Sequence, residues 1–161
     1  MLRRTAIAGF MALTALVSRG PAFAFEVPQI SHAGTLKECS ACHMVFPPQM
    51  LPARSWEGLM NDLSNHFGED ATLDDAVKTD ITAYLTANAA DSAQNQAAGR
   101  RLLRGIKASD VPLRITETPW WKRAHGEVSQ AAYAKPNVKS AANCAACHVG
   151  AEKGVFREPG D

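Results

Sequence analysis

The chain has 161 residues, of which 46% are hydrophobic and 20% are charged, a composition typical of a globular protein and not of a disordered one. Its formal net charge of +1 excludes the strongly basic profile of a nucleic-acid-binding protein. Aromatic residues make up only 7% of the chain, so we expect a non-protein group to fill part of the interior.

Residues 1–24 have the features of an export signal. Two arginines precede the apolar run 5–17, and the triplet AFA at 22–24 supplies a cleavage site between small residues. The run would span about 20 Å as a helix, which is short of the roughly 30 Å hydrocarbon core of a membrane. We therefore expect the signal to be removed and the mature chain to lie in the periplasm without a membrane-spanning segment. An uncleaved anchor is the alternative.

The first motif is CSACH at 39–43, after a short lead-in at 25–37, and a second copy, CAACH, lies at 144–148. Together they contain all four cysteines of the chain. C-x-x-C-H is the attachment motif of a c-type haem: the thiols form thioethers with the porphyrin vinyl groups, and the histidine binds the iron. The sequence thus predicts two covalently bound haem c groups. Their thioether anchors are Cys39, Cys42, Cys144 and Cys147, and their proximal iron ligands are His43 and His148.

Three other uses of paired cysteines fit less well. Zinc sites built from two C-x-x-C pairs usually separate them by about 15–20 residues, whereas 101 residues lie between Cys42 and Cys144. A thioredoxin-like dithiol belongs next to a βαβ unit, and no strand is predicted anywhere in this chain. A disulfide framework suits an exported protein, but it does not explain a histidine after each pair.

Residues 25–90 are expected to form a helical unit around the first haem, with an irregular proline-rich loop after the motif. Apolar residues at helical spacing predict a helix from Ser55 that Gly68 ends. Its apolar face consists of Trp56, Leu59, Met60, Leu63 and Phe67. A second helix is predicted from Thr72 to Asn88, because TLDD matches the capping pattern of a threonine followed by an acid.

Residues 91–117 are interpreted as a linker or a helix extension. The net charge is +4 over 91–125, against −6 over 25–90. The basic residues of this segment are Arg100, Arg101, Arg104, Lys107, Arg114, Lys122 and Arg123. Two interpretations stay open: the charges neutralise haem propionates and the acidic unit, or they orient an acidic redox partner.

A C-terminal haem unit is expected over 118–161. Thr118 and Pro119 predict the start of a helix that contains His125. Ser140 predicts the cap of a last helix, which carries the second motif and which Gly150 ends. The predicted fold is therefore mainly α, with two small cytochrome c-like helical haem units and much irregular chain.

The second axial ligand of each iron must come from outside the motifs. His66 lies on the apolar face of its predicted helix, where a histidine is usually a core residue, but a neighbouring haem favours ligation. His125 is the spare histidine of the C-terminal unit and the natural partner of the second haem. His32 is interpreted as a surface or propionate-contacting residue, with ligation in place of His66 or ligation of the other haem as the alternatives. Met44 and Met50 leave His–Met ligation of the first haem open.

Three blocks of the sequence resemble the small periplasmic dihaem cytochromes c of photosynthetic and other proteobacteria. The blocks are CSACHMVFPPQMLPARSWEGLMNDLSNHFGEDATLD (39–74), TETPWWKRAH (116–125) and NCAACHVGAEKGVF (143–156). The resemblance implies a two-domain, mainly helical electron carrier with two bis-histidine haems. It implies that His66 and His125 are the distal ligands. It also implies association with an oxygen-binding monohaem c-type cytochrome and a membrane b-type cytochrome.

The leading hypothesis is a periplasmic electron-transfer protein and not an enzyme. A small dihaem subunit of a periplasmic reductase has the same chemistry, with a terminal reductase as its partner, but its motif context is not found here. A haem enzyme or gas-binding cytochrome would need an open axial position. Three spare histidines for two irons argue against such a position.

Overall fold

The computed structural model describes residues 25–157, so the predicted export signal lies outside the described residues. The fold is mainly α, as predicted, with short helices joined by irregular chain. The α-helices are α1 (Ala33–Cys39), α2 (Ala53–Asn61), α3 (Asp75–Ala87), α4 (Gln96–Leu102), α5 (Pro119–Ala124) and α6 (Gln130–Tyr133). Short 3-10 turns lie at Pro48–Met50, Leu63–Asn65, Ile115–Glu117, Cys144–Ala146 and Ala151–Lys153. Within the described range, no helix is long and apolar enough to cross a membrane.

Helices α2 and α3 pack against each other and form the main hydrophobic core. Trp56 of α2 is buried, and its indole Nε1 donates a hydrogen bond to the Pro48 carbonyl at 2.8 Å. Ile81 and Leu85 of α3 are buried in the same cluster. Burying side chains of this size contributes about 1.5–3 kcal/mol each. The core therefore also fixes the proline-rich loop that follows the first motif.

Helix α2 ends at Asn61, well before the predicted end at Gly68. Asp62 leaves the helical conformation, with φ −125° and ψ 43°. Leu63 is buried as predicted, but Phe67, which was expected on the same face, is 45% exposed. The prediction of one continuous helix is wrong because apolar spacing alone does not reveal the backbone break at Asp62.

Helix α3 begins at Asp75 and not at Thr72. The Thr72 hydroxyl donates to the Asp70 carboxylate at 2.6 Å, and the Thr72 N–H donates to the same carboxylate at 3.0 Å. These bonds hold Thr72 in the preceding turn, so the predicted TLDD cap is wrong. The end of the helix is as predicted, with Asn88 as the C-cap.

The C-terminal part contains less helix than predicted. Thr118 caps α5 as expected, because its hydroxyl accepts a hydrogen bond from the Trp121 N–H at 3.2 Å. The predicted helix between Ser140 and Gly150 is wrong, since the second motif lies in a single 3-10 turn. Asn143 interrupts the segment with φ −82° and ψ 72°, a conformation outside the helical region.

Two short strands join distant parts of the chain, although no strand was predicted. β1 (Phe25–Glu26) pairs antiparallel with β2 (Val155–Phe156). The Phe25 ring packs against the rings of Phe156 and Trp120, with centroid distances of 6.0 and 5.2 Å. Strands of two residues are too short to give a periodic sequence signal, which is why the prediction missed them. The boundaries of the two expected haem units stay predictions.

Gly154, next to β2, has no room for a side chain. Its φ is +79°, and a Cβ there would lie 2.3 Å from the Val27 carbonyl oxygen. We expect Gly154→Ala to lower the free energy of unfolding by about 2 kcal/mol, measured by urea unfolding followed by circular dichroism. Gly126→Ala is the matched control, because its Cβ would meet no atom closer than 3.4 Å. Equal stability of the two variants would contradict this close approach.

Candidate haem sites

Both C-x-x-C-H motifs lie on short turns and share one pattern of exposure. Cys39 is the last residue of α1, and Cys42 lies in the turn that follows. Cys144 begins a 3-10 turn, and Cys147 caps it with an N–H bond to the Cys144 carbonyl. In each motif the first cysteine is half-buried and the second is exposed, and none of the four is in a disulfide. All four thiols are therefore available for thioether bonds.

The surroundings of the cysteines do not suit a redox dithiol or a zinc site. Burial raises the pKa of the Cys39 thiol, with Glu38 adding to the shift, and burial also raises the pKa of the Cys144 thiol. A redox dithiol depends on a lowered thiol pKa. Within residues 25–157, no three His, Cys, Asp or Glu side chains come together as a cluster that would hold a metal ion.

The first motif histidine faces a second imidazole. The ring centroids of His43 and His66 are 6.2 Å apart, and their planes differ by 22°. Phe46 stacks on His43 at a centroid distance of 5.0 Å. His66 does not lie on a helix face as predicted, because it follows the 3-10 turn Leu63–Asn65. The structure nevertheless brings together the two residues predicted for the first iron.

The second motif histidine also faces an imidazole. The ring centroids of His125 and His148 are 6.0 Å apart, but here the planes are nearly perpendicular, at 89°. His125 is the C-cap of α5, and its ring stacks on Trp121 at 4.3 Å with an angle of 14°. Phe156 of β2 lies edge-on to His148 at 5.8 Å. This pair matches the residues predicted for the second iron.

Both ring separations fit an iron held between two imidazoles. An imidazole nitrogen binds a metal at about 2.0–2.1 Å, so two rings on opposite sides of one metal ion have centroids about 6 Å apart. The observed values are 6.2 and 6.0 Å. The four predicted histidines therefore form two pairs whose spacing is compatible with one metal ion between the two rings of each pair.

Hydrogen bonds to the backbone orient three of these rings. The Nδ1 atoms of His43, His125 and His148 lie 2.6, 3.0 and 2.5 Å from the carbonyl oxygens of Met44, Trp121 and Arg157. A carbonyl oxygen only accepts, so Nδ1 carries the proton and the lone pair of Nε2 is left for a metal. Each of these rings is thus held in the tautomer that binds iron through Nε2.

The pKa values of two histidines outside the motifs, His66 and His125, are lowered, which favours their neutral form. Burial lowers the pKa of His66, and the charges of His43 and Arg114 lower it further. Burial lowers the pKa of His125 as well, against the opposing effect of its hydrogen bond to Trp121. Neutral imidazole is the form that binds metal.

A tight turn presents His66. The backbone N–H of His66 donates to the Glu69 carbonyl at 2.7 Å, and the Glu69 N–H donates back at 3.3 Å. The two residues between them have positive φ values, +58° for Phe67 and +102° for Gly68. A phenylalanine in this region is uncommon and costs about 1–2 kcal/mol. The phenylalanine conformation must therefore be supported by its surroundings.

Arg114 supplies that support. Its guanidinium carbon lies 3.8 Å from the centroid of the Phe67 ring, and its Nε pairs with Glu117 at 3.5 Å. Arg114 thus reaches from the predicted linker to the turn that carries His66. In the sequence Arg114 is only one of several basic residues, because no local pattern links it to Phe67.

His32 is occupied by other contacts. Its Nδ1 accepts a hydrogen bond from the Thr35 N–H at 3.2 Å, which caps α1, and its Nε2 lies 3.2 Å from the Asp80 carboxylate. The ring stacks on Tyr84 at 4.5 Å. Both ring nitrogens are therefore engaged within the protein, which favours the interpretation of His32 as a residue that does not bind iron. The contact with Asp80 also joins α1 to α3.

A partly open apolar cleft of about 80 Å³ is lined by residues from both sites. Phe46, which stacks on His43, contributes at one side. Trp121, which stacks on His125, and Cys144 of the second motif contribute at the other. Residues that contact each histidine pair therefore meet in one apolar cleft.

The sequence profile of the dihaem cytochrome c family matches residues 35–156, which include both motifs and all four facing histidines. The chain belongs to the dihaem cytochrome c family. Its cofactors are two covalently bound haem c groups, one for each C-x-x-C-H motif. The family assignment confirms the resemblance on which the sequence analysis relied.

Solved structures support the assignment to the dihaem cytochromes c. The chain is similar to the diheme cytochrome c from Rhodobacter sphaeroides, with 52% identity, a TM-score of 0.73, and coverage of 81% of this chain and 100% of that chain. It is also similar to a diheme cytochrome c from Shewanella baltica, with 34% identity, a TM-score of 0.62, and coverage of 77% and 85%. A comparison with curated proteins gives no significant match.

The contact between Arg114 and Phe67 predicts a measurable stability difference in this dihaem cytochrome. We expect Arg114→Gln to lower the free energy of unfolding by about 1 kcal/mol, because it removes the cation–π contact. Urea unfolding of the haem-loaded protein measures this. Arg101→Gln, a change at an exposed residue of α4, is the control and should leave stability within about 0.5 kcal/mol. Identical midpoints for both variants would show that Arg114 does not support the turn.

Proposed function

We propose that this dihaem cytochrome c is a periplasmic electron carrier in which each iron is held between two histidines. The ligand pairs are His43 with His66 and His148 with His125. The observation that supports this most directly is that each motif histidine faces a second imidazole at about 6 Å. With a ligand on both sides, neither iron offers a position for a substrate or a gas, and electron transfer is the chemistry that is left.

The proposed ligation also favours a carrier of low potential. Methionine as an axial ligand raises the reduction potential of a haem relative to histidine. The ring of His66 lies 6.2 Å from that of His43, which favours histidine over methionine as the second ligand. The haem groups supply the redox chemistry, while this chain binds them, excludes water and offers a docking surface. We therefore propose that the protein is not an enzyme.

We propose that electrons pass between the two haem sites across the apolar cleft. Phe46 and Trp121 stack on one histidine of each pair and both line that cleft. Little water would lie between the two sites there. The solvent would therefore reorganise little when an electron moves from one haem to the other. This arrangement supports a carrier that accepts an electron at one haem and releases it from the other.

Location and partners are proposed from the sequence. The predicted export signal supports a periplasmic location. The resemblance to periplasmic dihaem cytochromes supports two partners, a membrane b-type cytochrome and an oxygen-binding monohaem c-type cytochrome. A terminal reductase is the alternative partner.

The different ring angles predict two different paramagnetic signals. Nearly parallel imidazole planes, at 22°, interact more strongly with one of the two iron dπ orbitals than with the other, so the two orbitals differ in energy. Perpendicular rings, at 89°, act on both orbitals alike and leave them almost degenerate, which increases the anisotropy of the g tensor. We expect low-temperature electron paramagnetic resonance of the oxidised protein to show one rhombic and one highly anisotropic low-spin signal of equal intensity. A high-spin signal would contradict the ligation.

Removal of one distal histidine tests the function directly. The reduced protein should not bind carbon monoxide, whereas His66→Ala should bind about one molecule per chain, because one axial position is then open. Absorption spectroscopy of the reduced protein measures this. His32→Gln is the matched control and should bind none, since His32 contacts Thr35 and Asp80. Rapid stoichiometric binding by the unaltered protein would refute a pure carrier.

A further inference from the structure

Five basic side chains on α4, on α5 and in the turn after α4 form one exposed surface, which we call the α4–α5 basic face. Its members are Arg100, Arg101, Arg104, Lys122 and Arg123, all of them exposed. None has a carboxylate partner within 4 Å among the described residues. No acidic residue occurs in 92–109 or in 118–126. The face therefore carries concentrated positive charge.

The two helices of this face are joined. A side chain at Gly105 would meet the Pro119 ring at 3.2 Å, which shows how closely the end of α4 approaches the start of α5. The Arg123 Nη2 donates a hydrogen bond to the Arg104 carbonyl at 3.3 Å. Both helices thus present their charges from one rigid surface.

The face lies on the segment that carries one distal histidine. Lys122 and Arg123 are in the last turn of α5, and His125 is its C-cap. The His125 ring stacks on Trp121 and faces His148. A molecule bound on this face is therefore next to the second haem site.

We propose that the α4–α5 basic face docks an acidic redox protein, which exchanges electrons with the second haem; this rests on the proposed carrier function. Residues 25–90 carry a net charge of −6 and would repel such a partner, so the α4–α5 basic face is favoured over that part of the chain as its docking site. Charge of this kind acts mainly on the rate of association and on orientation. An anionic membrane is the less favoured occupant, because no large hydrophobic side chain of α4 or α5 is among the exposed ones in the described chain.

The test measures electron transfer from a defined acidic donor, reduced flavodoxin, to the oxidised haem-loaded protein by stopped flow. The variant combines Arg100→Gln, Arg101→Gln and Lys122→Gln and leaves the Arg123–Arg104 contact in place. The control combines Lys135→Gln, Lys139→Gln and Lys153→Gln, which removes the same charge from exposed positions outside the face. At an ionic strength of about 10 mM, we expect the face variant to lose about tenfold in second-order rate and most of its salt dependence, and the control far less.

Three results would overturn the proposal. Equal rates and equal salt dependence for variant and control would show that the face does not steer the donor. A shifted reduction potential with an unchanged salt dependence would show that the charges serve the haem propionates instead. Loss of sedimentation with phosphatidylglycerol vesicles, with an unchanged flavodoxin rate, would assign the face to membranes. Failure of the carrier function itself is distinguishable, because it would appear as carbon monoxide binding by the unaltered protein.

Discussion

Each C-x-x-C-H motif provides only one axial ligand of an iron, so the proposed bis-histidine ligation depends on a second imidazole about 6 Å from the first. At the first site this imidazole comes from the turn after α2, which rests on the core between α2 and α3. At the second site it comes from the end of α5 and is held by Trp121. The main core cluster lies entirely within residues 51–89. No member of this cluster comes from the C-terminal unit, so the haem would form a larger share of the interior at the second site than at the first.

The two sites reach the same spacing by different means, and this makes them chemically distinct. His66 belongs to a strained turn that a cationic side chain covers, whereas His125 ends a helix and stacks on an indole. With the proposed ligation, the Arg114 cation near His66 would stabilise the reduced, less positive state of the first iron. The perpendicular rings at the second site would give its iron a different electronic structure. Two inequivalent irons would give an electron an energetic preference for one site.

The haem-attachment residues of this chain were easier to predict from the sequence than the backbone conformation around them. The residues of each motif are close together in the sequence, so the cysteines and the motif histidines could be recognised without any knowledge of the fold. His66 and His125 could be chosen because few histidines compete for two irons. The backbone around them could not be read from the sequence: the break at Asp62 and the left-handed Phe67 depend on tertiary contacts, among them that of Arg114, 47 positions away from Phe67. Interpretation of His32 likewise needed Asp80, a residue from another helix.

The strand pair β1–β2 joins the two ends of the described chain. Phe25 and Phe156 are 131 positions apart, yet they are paired, and the same region supplies the Arg157 carbonyl that orients His148. If residues 1–24 act as the predicted export signal, Phe25 would cross the membrane early and β2 would cross late. Closure of the fold would then be a late step, and the first motif would stay open to covalent modification until the two strands pair.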